Sequence, residues 1–400
     1  MSDTATSSAG AGVYEVPEEL RDFRDLVRRL AQEQIAPRAA EIDEKGEYPW
    51  DIRELLASHD VLGLPFSEEY GGTGTGTLMQ QMAVEEIAKA CASSALILMV
   101  QELGTLPIQL FGSDELKQRL LPKCATGEWS PAFALSEPEA GSDPAAMRTT
   151  AVQDGDEWVI NGSKTYITNG TQADWVCLLV NTSAEGAPHR NKSLVIVPLR
   201  DDAGRPMPGV QMAKIRKVGM WCSDTAQIFF DDVRVPQRHR IGDEGMGFIY
   251  QMKQFQEERL SAAARRLAAI ALIDDTAAYL RQRVAFGKPL LDNQYIQFKL
   301  AELKTEIEAL RGLVHLATTT YIAGGDVVEL ASMAKLKAGR LGREVADSCL
   351  QYWGGMGFTA DNPLSQAYRD GRLTSIGGGA DEVMLGIICK LEGTLPKGSH

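Results

Sequence analysis

The chain has 400 residues, 44% hydrophobic and 24% charged, enough for two or three domains around substantial soluble cores. Its net charge of −13 argues against a nucleic-acid partner, because phosphate-backbone binding leans on clustered Lys and Arg. No apolar run approaches the roughly 20 residues of a bilayer span; "ALILMV" at 95–100 is of core length.

In chain order, the opening MSDTATSSAGAG lacks the basic and apolar stretches of a secretory signal and reads as a disordered tail over 1–15. From 16 to 126 the pattern is helical. "EELRDFRDLVRRLAQEQI" repeats apolar residues at three and four, and "TLMQQMAVEEIAKACASSALILMVQELGTLPIQLFG" reads as two long buried helices. "YGGTGTGT" at 70–77 lacks GxGxxG spacing and a Walker Lys-Ser/Thr, so it reads as a loop. From 127 to 240 short β-branched and aromatic runs ("TAVQDGDEWVING", "ADWVCLLVN", "KSLVIVPL", "AQIFFDDVRV") alternate with Gly, Asn and Asp turns. From 241 to 396 helix returns, with "FIYQMKQFQEERLSAAARRLAAIALIDDTAAYLRQRVAF" too long for a typical single element. The class is α+β, mostly α: an N-terminal helical domain, a central antiparallel β-domain and a C-terminal helical domain.

The six cysteines lie far apart, with no CxxC and no Cys/His pair at metal-ligand spacing. They read as reduced core thiols of a cytoplasmic protein. His315, in "GLVHLA", reads as a helix residue with a satisfied ring, so no metal is expected.

"ALSEPEAGSD" (134–143) and "QYWGGMGF" (351–358) resemble the two signature segments of the acyl-CoA dehydrogenase family. "INGSKTYITNG", "CSDTAQIFFDDVRVP" and "RVAFGKPLLDNQ" are similar to it in order and spacing, so the resemblance spans about 16–395. It implies a C-terminal four-helix bundle, FAD as cofactor and α,β-dehydrogenation of an acyl-CoA thioester to the trans-2-enoyl-CoA. It further implies Leu135 and Ser136 at the flavin ring edge, Tyr166 against the ring and Thr168 near its reactive edge. Ser142 would face the CoA end. Tyr166 stands where the family usually has Trp, covering less surface. Arg283, Phe286, Gln294, Gln351, Gly354 and Gly355 would bind the diphosphate and adenosine of a FAD belonging to a neighbouring subunit. That requires a dimer at least, and the family habit is a homotetramer. Gln366 departs from the usual Lys or Arg.

Many members carry the catalytic glutamate in a turn before the last helix, where this chain reads Gly377, Gly378, Gly379. The Gly378 N–H, with the ribityl hydroxyl of FAD, would still bind the thioester oxygen. A second branch, typified by isovaleryl-CoA and long-chain acyl-CoA dehydrogenases, holds its base upstream, immediately before an arginine. There this chain reads Glu258 then Arg259, with Phe255, Ser261 and Ala262 as helical neighbours. Burial would raise the Glu258 pKa. Glu257, about 100° away around the helix, reads as a solvated charge, and Arg259 as facing either CoA or a structural carboxylate. Leu96, Leu98, Met99 and Leu103 fall on the helix lining the family's acyl cavity; the substrate-binding candidates are Leu96, Met99 and Leu103, with Ser142 and Arg259. The implied acyl group is medium-to-long or 3-methyl-branched, and the implied acceptor an electron-transferring flavoprotein. Two rivals are a same-fold flavoenzyme acting on a carrier-protein thioester or other non-CoA substrate, and a non-catalytic flavin-binding scaffold.

Overall fold

The computed structural model describes residues 18–395; the tail over 1–15 and the last residues, 396–400, lie outside them. Six helices come first: α1 (Glu18–Leu30), α2 (Ala39–Lys45), α3 (Trp50–Ser58), α4 (Gly76–Ala90), α5 (Ala92–Phe111) and α6 (Asp114–Ala125). Local chemistry marks their ends. Glu18 and Glu19 open α1 and Arg28 and Arg29 close it, as the helix dipole favours. Ser113 caps α6 by accepting the Leu116 N–H. Of "YGGTGTGT", Tyr70 ends a short 3-10 helix and 71–75 is loop, but α4 already begins at Gly76.

By length and composition α5 could cross a membrane, with a mean hydropathy of 1.4 over its best window. Two thirds of that window, 67%, is buried inside the protein, so α5 is a core helix. Gly104 lets it lie directly on the following strand: a Cβ there would stand 2.6 Å from Pro131 Cβ.

The middle of the chain forms β1 (Pro131–Ala134), β2 (Thr150–Asp154), β3 (Glu157–Thr168), β4 (Trp175–Asn181), β5 (Lys192–Pro198), β6 (Val210–Lys214), β7 (Thr225–Pro236) and β8 (Arg240–Ile241). The sheet order is β6-β7-β3-β2-β4-β5-β8, largely antiparallel, with β1 running parallel to β4. β4 is buried on both faces. Val176, Leu178 and Val180 enter the sheet's own core, while Trp175, Cys177 and Leu179 join a second core with Ile108 of α5 and Leu116 and Leu120 of α6. That sandwiching holds the turn after β1 against the helices.

The long C-terminal helical run is two helices, α7 (Gly247–Arg266) and α8 (Ala269–Gln282). At the junction Leu267 and Ala268 bond back three residues, to Ala264 and Arg265, which tightens and ends α7. A hairpin of β9 (Val284–Ala285) and β10 (Lys288–Pro289) leads to α9 (Gln294–Ile322), α10 (Val328–Trp353), α11 (Pro363–Gly371) and α12 (Asp381–Leu391). Small residues on α10 (Ala331, Ala334, Ala338, Gly339, Gly342) are buried and admit close neighbours. A Cβ at Gly342 would lie 2.3 Å from the Arg266 guanidinium.

Candidate active site

Glu258 sits mid-α7 between two packed faces. Glu257, Arg259, Leu260 and Ser261 are buried, while Phe255, Glu258 and Ala262 form a half-exposed stripe at helical spacing. Facing the stripe is the glycine turn before α12. A Cβ built on Gly378 would meet Glu258 Oε1 at 3.4 Å and nothing else within 4 Å. The upstream carboxylate therefore stands where a side chain of the turn would begin. Glu258 Oε2 is enclosed without a hydrogen-bond partner. Burial pushes its pKa up to about 7, against the opposing pull of Arg259 and then Lys335.

The turn is held by its own backbone and by one lysine. Ile376 and Gly377 donate to the Leu373 carbonyl, each at 2.8 Å. Lys335 of α10, fully buried, donates from Nζ to the Gly379 carbonyl. Gly378 and Gly379 have φ of +65° and +94°, where side chains are strained. The Gly378 N–H is exposed and finds no acceptor among the described residues.

On α5, Leu96, Met99 and Leu103 make a second half-exposed stripe, whereas Leu98 is fully buried. Gln254 of α7 donates to the Leu103 carbonyl at 2.6 Å and Ser261 to Glu102 at 3.1 Å, which docks α7 on α5. Leu103 and Leu135 pack against the same core.

The ring-edge candidates converge at one end of the sheet. Lys164, fully buried, donates to the Leu135 carbonyl at 3.0 Å and to Glu137 at 2.9 Å; Thr165 N–H donates to the Ser136 carbonyl at 2.9 Å. Burial pulls the Lys164 pKa down to about 8, and Glu137 opposes it. Between Lys164 and Ile167 the β3–β7 register shifts, and in that bulge Tyr166 takes φ +62° with its ring 70% exposed. Bulge and turn together present Leu135, Ser136, Tyr166 and Thr168 on the surface side. Ser142 is exposed beyond them.

Arg283, Phe286, Gln294, Gln351, Gly354 and Gly355 gather elsewhere, at the bundle end where α8 and α10 finish and α9 begins. All six are exposed, and Phe286 stands wholly clear of the chain at φ +51°. Val284, Tyr295, Phe298, Met356 and Phe358 are each more than half exposed there. An apolar surface of that kind calls for a partner. Cβ atoms on Gly354 or Gly355 would meet nothing.

One side chain of α7 departs from expectation. Glu257 is not solvated: it is 5% exposed and accepts from Thr77 at 2.5 Å and Tyr321 at 2.7 Å. α7 is packed on two sides, so turning away from the cleft leads into a second interface. Beside it Glu102 is held well above the usual carboxylate range, first by burial and then by Glu257. Arg259 lies in the α7–α10 seam, with Nη1 3.5 Å from Ser332 Oγ, its guanidinium over Phe255 and its charge acting on the neighbouring Glu258. Sequence reasoning missed Lys335, whose burial shows only in the structure.

Three family models match the chain: the acyl-CoA dehydrogenase N-terminal domain over 17–128, the middle domain over 132–233 and the C-terminal domain over 245–391. The chain is similar to cyclohexane-1-carbonyl-CoA dehydrogenase of Geobacter metallireducens, 38% identical over 94% of this chain and 98% of that protein. The butyryl-CoA dehydrogenase structure from Megasphaera elsdenii superposes with a TM-score of 0.90 at 33% identity, over 95% of this chain and 99% of that one. A chain from a study of the electron-transferring flavoprotein of Acidaminococcus fermentans superposes with a TM-score of 0.90 at 32% identity, with the same coverage.

Proposed function

This chain belongs to the acyl-CoA dehydrogenase family, and on that premise we propose that it dehydrogenates an acyl-CoA with Glu258 as the base and Gly378 as the oxyanion donor. The observation that carries this is the 3.4 Å approach of Glu258 Oε1 to the missing Cβ of Gly378.

The proton α to a thioester is weakly acidic, so a carboxylate removes it only when donors stabilise the developing enolate oxygen. Gly378 N–H, unbonded and exposed on the turn, supplies one. Glu258, with its pKa near 7, is a stronger base than an ordinary carboxylate yet is largely ionised above neutral pH. Phe255 and Ala262 flank it and keep water off the transfer. The acyl chain lies along Leu96, Met99 and Leu103.

The residues present suit FAD. A strained exposed Tyr166 in a bulge, beside polar backbone fixed by Lys164, is a platform for a flat ring. Leu135, Ser136, Tyr166 and Thr168 would hold the ring of one FAD. Arg283, Phe286, Gln294, Gln351, Gly354 and Gly355 from a second subunit would hold its diphosphate and adenosine. Bound FAD supplies the acceptor for the β hydrogen and its electrons. The division of these residues between two separate surfaces supports a subunit-bridging cofactor and so a dimer at least, with a homotetramer as our reading. Ser142 would meet the CoA arm. An electron-transferring flavoprotein would take the electrons onward, and a cytoplasmic location suits six free cysteines, five of them buried.

An apolar stripe with a base displaced from the terminal turn favours a medium-to-long or 3-methyl-branched acyl group. The test is anaerobic titration of the yellow protein with straight, 3-methyl-branched and alicyclic acyl-CoAs. Fastest flavin bleaching by octanoyl-CoA, longer chains or 3-methyl-branched esters bears the reading out. Preference for butyryl-CoA or a ring thioester overturns the chain-type part. No bleaching by any thioester overturns the whole.

A further inference from the structure

An ammonium group buried beside a catalytic turn needs a reason to be there. Lys335 is 0% exposed, on a face of α10 otherwise built from Ala331, Ala334 and Ala338. It forms no ion pair within 4 Å among the described residues; the acceptor of its Nζ is the neutral carbonyl of Gly379. Burying a charge on one neutral acceptor is unfavourable, and a Met or Leu would pack the same space without that penalty. The charged groups around it are Glu258 and Arg259 from α7 and Asp381 and Glu382 from α12. Asp381 already lies 3.4 Å from Arg343 and 3.8 Å from Arg340. Asp381 is the strongest of these partners but is shared with the two arginines, and Glu258 also feels the lysine's charge, after that of Arg259.

We propose that Lys335 is a positioning residue for the reaction, clamping the Gly379 carbonyl so that the Gly378 N–H stays aimed at the thioester oxygen, and holding a fixed positive charge behind Glu258. This rests on reading Glu258 as the base. The clamp is needed because Gly378 and Gly379 have no side chains to fix themselves, and a Cβ on Gly379 would strike Met384 Cε at 2.6 Å. The charge has its own logic. As the α proton moves to Glu258 Oε1, the negative charge passes from the carboxylate to the thioester oxygen beside Gly378. It stays within the same neighbourhood, so the Lys335 ammonium, whose pKa burial brings down to about 8, serves both ends of the transfer while it keeps its proton.

The test uses the full-length, flavin-loaded protein with octanoyl-CoA. Lys335→Met should move the acidic limb of the kcat/KM–pH profile upward by about half a unit or more. It should lower kcat about tenfold while KM stays within about threefold. Lys335→Arg should return the limb toward the wild-type position. A merely structural lysine would lower thermal stability and leave the limb in place; that result, in a folded variant, overturns the proposal. Should the Met variant not fold, Lys335→Gln, which keeps a donor for the carbonyl, carries the same pH test: a raised limb supports the proposal and an unmoved one overturns it. A wild type that gives no bleaching strikes the proposed function itself, and the lysine assignment falls with it.

Discussion

At the scale of single residues, the proposed active site is a carboxylate delivered from one helix to a gap in another segment. Because Glu258 is held near 7, kcat/KM should rise about tenfold per pH unit below about 7, level off above it, and decline again above about 8 as Lys335 loses its proton. The same shift has a stability consequence. Between the ordinary carboxylate value of 4.5 and about 7 the folded state binds the extra proton, so stability falls as pH rises through that window. Glu258→Gln removes this dependence, and its melting temperature should gain on the wild type between pH 5 and pH 8. Gly378→Glu beside an intact Glu258 sets two carboxylates together on a strained φ, and activity should drop. In a Glu258→Ala background the same Gly378→Glu change should recover about tenfold or more, measured as the bleaching rate. The approach of Glu258 to the glycine turn was legible because a missing glutamate in one segment made sense of a Glu-Arg pair in another. The environment of Glu257 was not, since helical periodicity gives a direction and not what lies along it. Lys335 was illegible for a similar reason: a lysine in "AKLKAGR" looks like any helix surface.

At the scale of elements, α7 is the axis of the site, with the cleft on one stripe, α10 behind Arg259, and α4, α5 and α9 around Glu257. The last seam is a hydrogen-bonded network. Tyr321 and Thr77 donate to Glu257, and Ser261 donates to Glu102. Tyr321→Phe removes a donor from a buried carboxylate and should cost about 1–3 kcal/mol in urea unfolding, with the bleaching rate unchanged. Glu257→Gln should likewise keep turnover, which separates the two neighbouring glutamates by experiment. The strands with β-branched runs were plain from composition. β1 was not, because "PAFA" is four residues with no alternation and owes its place to pairing with β4 and to Gly104 of α5. The split between α7 and α8 was also hidden, since "RRLAAIA" has no Gly or Pro and only the three-residue bonds at Leu267 and Ala268 reveal the break.

At the scale of the whole molecule, one chain carries two unlike surfaces, the exposed Tyr166 bulge at the sheet end and an apolar, glycine-lined bundle end. Phe286→Asp should shift the protein toward monomer by size-exclusion chromatography and empty it of flavin, seen as loss of yellow absorbance. A variant that stays oligomeric and yellow would contradict the shared-cofactor account. The central claim is narrower and is best read in the assembled, flavin-loaded protein by anaerobic stopped-flow with octanoyl-CoA. Glu258→Gln should still bind the thioester, perturbing the flavin spectrum, while bleaching about 10²–10⁴-fold more slowly than wild type. Bleaching at the wild-type rate in Glu258→Gln would show that another group takes the proton.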